Sequence, residues 1–167
     1  MTTQGEATRL FKEGQAHQFA EPPDYSAAEK AYRAAIDLSP QWGEPHHCLG
    51  FVLQQQGRLP EAEDACKRAV CLLKDDPRPL IALGEVQRRR GRYHVAISSL
   101  EAGLALKPHY AEADARLMLA EALVGAKRLK DAAAQWRVVV KMEPFYPSYE
   151  WPMEEAKRKL TEHGLEA

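Results

Sequence analysis

Residues 48–72, CLGFVLQQQGRLPEAEDACKRAVCL, return thirty-four positions later as ALGEVQRRRGRYHVAISSLEAGLAL over 82–106. Leu49-Gly50 recurs as Leu83-Gly84, Gly57 as Gly91, Leu59 as Tyr93, Ala62 as Ala96 and Leu72 as Leu106. A fixed period of this length argues against one irregular globule. It requires stacked copies of a single supersecondary unit, each leaving an apolar flank that its neighbour covers.

The local signals make each copy a pair of helices. Apolar residues at Tyr25, Ala28, Tyr32, Ala35, Ile36 and Leu38 follow helical spacing, and Ser39-Pro40 ends that run. Gly57 and Gly91 fall where a left-handed helix cap is wanted. Pro60 and Pro77 sit in first turns, where a missing N–H costs nothing, and Asp76 is placed to cap the helix that Pro77 opens. Four pairs are expected, at about 7–40, 43–74, 77–108 and 111–144, within one domain spanning 1–167. A fifth element, a capping helix at about 150–163, places Met153, Ala156 and Leu160 on one face. Pro40 to Pro108 is two periods of thirty-four, whereas Pro108 to Pro144 is thirty-six. The two extra residues are placed before the first helix of the fourth pair, which keeps Leu119 and Leu123 in the core.

With small residues at Gly50, Gly84, Ala28, Ala62, Ala96 and Ala132, and bulky ones at Tyr32, Cys66, Leu100 and Trp136, the chain resembles the tetratricopeptide-repeat (TPR) family. The resemblance covers nearly everything from Ala7 to Pro144. It departs from the family pattern at His46 and Leu80, where a large aromatic is usual, at Lys74 in place of a unit-ending proline, and at Pro22-Pro23 in the first turn. It implies an all-α, right-handed superhelical solenoid of four TPR units with a C-terminal cap. First helices in this family line a concave groove that takes up a peptide or a helix of a partner. By matched position, the groove residues here are His47, Phe51, Gln54, Gln55, Arg78, Ile81, Glu85, Arg88, Arg89, Leu117 and Glu121, with Asp114 and Val124 beside them and Phe11 and Gln15 from the first pair.

The densest charge cluster is Arg88-Arg89-Arg90 with Arg92. Cations at a helix end complement the negative end of its dipole, and Glu85 is spaced to pair with Arg89. Alternatively, Arg88 and Arg89 face the groove and grip a partner segment carrying acidic and apolar residues through forked hydrogen bonds. The co-chaperones of this family that hold acidic heat-shock-protein tails do so through asparagine side chains, and this chain contains none. The number of repeats is also similar to that of the TPR chaperones of bacterial secretion systems.

Composition narrows the rest. With 23 basic and 24 acidic residues the net charge is −1, so the broad positive field of a nucleic-acid binder is absent, and an RNA-reading helical repeat is the weakest alternative. No apolar run approaches the roughly twenty residues of a membrane helix. The N-terminus lacks a basic stretch followed by an apolar core, and Cys48, Cys66 and Cys71 lie in helical patterns, which together point to a cytoplasmic protein. No nucleophile–base pair, phosphate loop or metal-spaced cluster stands out, so no enzyme, metal or cofactor is expected, and His46-His47 is read as packing and groove. The aromatic segment 145–151 offers a second interface. It fits a homodimer or a structural, self-associating role in which the terminal helices make the contacts.

Overall fold

The computed structural model describes residues 2–143 and 150–166. Two compact units divide the chain, Met1–Ala82 and Leu83–Ala167. All regular structure among the described residues is helical.

The first unit contains α1 (Thr3–Gln18), α2 (Tyr25–Leu38), α3 (Gly43–Gln55) and α4 (Leu59–Leu72), with α1 against α2, α2 against α3 and α3 against α4. The first helix begins four residues earlier than the apolar pattern marks, because the Thr2 hydroxyl accepts the Gly5 N–H at 3.2 Å and caps a polar first turn. Asp24 caps α2 in the same way through the Ala27 N–H at 2.9 Å. Between α3 and α4 only residues 56–58 intervene. The Gly57 N–H bonds the Gln54 carbonyl and the Arg58 N–H bonds the Leu53 carbonyl, the paired bonds that close a helix through a left-handed residue. Across that turn, Arg58 Nη1 reaches Glu29 of α2 at 2.7 Å.

The helix α5 (Pro77–Arg89) runs through the boundary, its residues 77–82 belonging to the first unit. As the sequence leads one to expect, the Asp76 carboxylate accepts the Arg78 N–H at 2.9 Å. The second unit takes the remainder of α5 together with α6 (Tyr93–Ala105), α7 (Glu112–Gly125), α8 (Leu129–Val140) and α9 (Trp151–Glu162). A 3₁₀ turn, His109–Ala111, precedes α7, and three residues separate α7 from α8, just as three separate α5 from α6. The two extra residues of the fourth pair therefore precede its first helix, and Leu119 and Leu123 are buried.

The core is built on one recurring crossing. A Cβ added at Gly50 would lie 2.6 Å from Cys66 Sγ, and one at Gly84 would lie 2.5 Å from Leu100 Cγ, so the helices of these two pairs touch where the side chain is missing. Tyr32, Cys66, Leu100 and Trp136, the bulky partners in successive second helices, are all buried. The Tyr32 hydroxyl donates to Gln18 Oε1 at 2.6 Å, whereas Trp136 Nε1 is buried with no hydrogen-bond partner among the described residues. In the second unit α9 packs on α8, burying Ala156 and Leu160, and His163 stacks on Trp136 at 5.4 Å with the rings 13° apart. The expected cap is present, over Trp151–Glu162 rather than 150–163.

The turns yield a test. Gly91 has φ 73°, and the corresponding residue of the next pair, Lys127, has φ 61°. A side chain in that region costs about 1 kcal/mol, so Lys127→Gly is expected to raise stability by roughly that amount in urea denaturation. Gly84→Leu is expected to lower it by about 2 kcal/mol or more, since overpacking at the crossing outweighs any gain in helix propensity. An unchanged midpoint for Gly84→Leu would show that the crossing can open.

Candidate functional site

The expected groove residues fall in both units. In the first, α3 supplies His47, Phe51, Gln54 and Gln55, and the start of α5 supplies Arg78 and Ile81. Phe51 is 37% exposed, with its ring edge-on to Tyr25 at 6.4 Å, and Gln55 is exposed. Gln54 and Ile81 are largely buried, at 9% and 7% exposure, so they offer little surface. Arg78 is exposed and folded back on Asp76, its Nε 2.9 Å from Oδ2. Phe11 packs against Trp42 at 4.7 Å and Tyr32 at 5.7 Å, which commits it to the first unit's interior contacts.

His46 and His47, adjacent in sequence, face different surroundings. His46 Nε2 donates to the Pro40 carbonyl at 3.1 Å, while His47 Nδ1 is buried with no hydrogen-bond partner among the described residues. Burial lowers the pKa of both rings. The nearby Arg68 adds to this for His46 and Arg78 does so for His47, whose neighbours Asp76 and Glu44 act in the opposite sense. Burial pushes the Cys66 thiol up to about 12, which suits a small packed hydrophobe rather than a nucleophile.

The second unit holds Glu85, Arg88 and Arg89 on α5 and Leu117 and Glu121 on α7. Glu85 pairs with Arg88, whose Nε and Nη2 donate to its two oxygens at 2.7 and 2.8 Å. Arg88 Nη1 also stands 3.0 Å from Glu121, tying α5 to α7. The two carboxylates hold the guanidinium firmly in its charged form. Arg89 is exposed, and Leu117 is 6% exposed.

These residues border an open cavity of about 220 Å³ lined by Glu85, Arg88, Asp114, Leu117, Met118, Glu121, Trp151 and Glu155. Sequence reasoning did not place Met118, Trp151 or Glu155 in the groove. Met118 gave no signal of its own. Trp151 and Glu155 are one helical turn apart at the start of α9, spaced as Leu117 and Glu121 are on α7. That shared spacing is the signal that could have marked α9 as a further first helix as well as a cap. Residues 145–149 of the aromatic segment expected to form a second interface lie outside the described residues, and Trp151 at its end is 64% exposed.

A larger cavity, about 510 Å³, opens in the first unit among α2, α3 and α4. Its charged lining of Arg33, Asp37, Glu61, Asp64 and Arg68 is close to balanced, and it contains none of the expected groove residues. Among the described residues, no three His, Cys, Asp or Glu side chains converge on a metal-sized site, and no helix is long and apolar enough to cross a membrane.

Models of the tetratricopeptide repeat match residues 43–68 and 81–147, together more than half of the chain. The chain belongs to the tetratricopeptide-repeat family. No curated protein sequence matches it. Among solved TPR structures it is similar to pilF of Pseudomonas aeruginosa, with a TM-score of 0.77 and 16% identity over 97% of this chain and 72% of the other. A MamA double mutant gives 0.74 and 19%, covering 95% of this chain and 87% of that one. The TPR2B domain of yeast Sti1, in its pHsp70 complex, gives 0.66 and 20%, covering 71% and 96%. At these identities the likeness concerns the TPR fold alone.

The histidines give the first unit a pH dependence with a definite sign. Each ring has a folded pKa below its unfolded value of about 6.5, so the unfolded chain binds more protons and stability falls as pH drops below that value. Urea midpoints measured between about pH 7 and pH 5 should decline, and the decline should be shallower in His47→Gln. An identical slope in that variant would remove His47 from the effect.

Proposed function

We propose that this protein is an adaptor, scaffold or chaperone-like holder that takes up a segment of a partner protein on the exposed faces of its first helices, without chemistry of its own. The observation that carries this reading is the open cavity between α5, α7 and α9, where part-buried polar residues surround an apolar patch and a tryptophan is left 64% exposed. A large exposed aromatic beside a concave surface is costly to keep in water and is common where a partner docks. The groove is preformed by packed helices, so little ordering entropy is lost by the receptor on binding. Phe51 and Gln55 of α3 give the first unit an exposed first-helix face of the same kind.

The test is affinity purification read by mass spectrometry, comparing wild type with Phe51→Asp, with Trp151→Ala, and with a control, Glu101→Lys, at an exposed position on the second helix α6. A partner should be retained by wild type and by the control and lost from at least one first-helix variant. Equal retention by all four proteins would place the contacts elsewhere.

A further inference from the structure

The α5–α7–α9 cavity has a charge opposite to the one its arginine run implies. Four of its lining residues are carboxylates, Glu85, Asp114, Glu121 and Glu155, against the single guanidinium of Arg88. That guanidinium is already engaged by Glu85 and Glu121. Glu155 is drawn toward Arg158 of its own helix at 2.6 Å, with Lys159 at 4.0 Å, and neither cation belongs to the lining. Leu117 and Met118 supply the apolar part, and Trp151 stands exposed beside it.

We propose that this cavity binds a segment of another protein carrying lysine or arginine next to apolar residues. The proposal rests on the interaction reading above and reverses the acidic preference that Arg88 and Arg89 imply from sequence. An ammonium or guanidinium group has two kinds of partner here: the indole face of Trp151, and carboxylates able to accept charge-assisted hydrogen bonds. The segment's apolar side chains would cover Leu117 and Met118. An acidic segment would meet four like charges and a guanidinium that it must first pull away from two carboxylates, a mismatch that selects against it.

The experiment is fluorescence anisotropy on the full chain with three labelled synthetic peptides: an amphipathic leucine–lysine peptide, its leucine–glutamate counterpart, and a glycine–lysine peptide of the same charge as the first. The leucine–lysine peptide should bind at least about tenfold more tightly than either of the others. Trp151→Ala should weaken it by about fivefold. Arg88→Gln, which frees Glu85 and Glu121, should strengthen it, whereas an arginine anchor for acidic segments would predict loss. Circular dichroism checks that both variants keep wild-type helicity, and a Leu117→Ala variant serves as a second reporter should Arg88→Gln fail to fold. Tighter binding of the leucine–glutamate peptide, lost in Trp151→Ala, would overturn the basic preference while leaving the interaction reading intact. Equal binding of the glycine–lysine peptide, or indifference to both Trp151→Ala and Leu117→Ala, would overturn the site. Failure of all three peptides to bind would overturn the proposal and the interaction reading at this cavity together.

Discussion

Both units depend on helices crossing where a side chain is absent or no larger than a methyl group. With glycine at Gly50, the Cys66 sulfur can occupy the space a Cβ would take, and Leu100 does the same at Gly84. The close approach aligns the second helices so that Tyr32, Cys66, Leu100 and Trp136 become the buried residues of successive pairs. Once those positions are fixed, the outward faces of the first helices follow from the 3.6-residue period without further instruction. Surface chemistry can then vary while the packing stays the same, which is how one architecture supports unrelated partners.

The fold was legible because its determinants repeat. Gly57 and Gly91 mark turns, Ala62 and Ala96 mark crossings, and each statement of the motif confirms the other. Lys127 shows where that legibility ends. It takes the left-handed turn position without being glycine, and only the equal length of the α7–α8 linker reveals the equivalence. The start of α1 was misplaced for a related reason, since a polar first turn held by a Thr2 cap carries no hydrophobic period.

The candidate site was legible in position and not in charge. Glu85, Arg88, Asp114, Leu117 and Glu121 line one cavity. The sequence shows four arginines within five residues, however, and cannot show that Arg88 turns toward Glu121, thirty-three positions away. Net local charge is a property of which side chains meet in space. It is therefore the part of a repeat protein's surface that periodicity encodes least.

Arg88 also sets a standard for whatever enters. It presents the cavity's carboxylates with a guanidinium that belongs to the protein itself, tethered at the right place and present at all times. A visiting cation must outcompete an internal one whose effective concentration is fixed by the fold. A lone lysine gains little by that exchange, whereas a segment that adds aromatic contact and apolar burial gains more. The internal ion pair acts as a threshold, filtering weak, purely electrostatic visitors from segments that match the cavity in several ways at once.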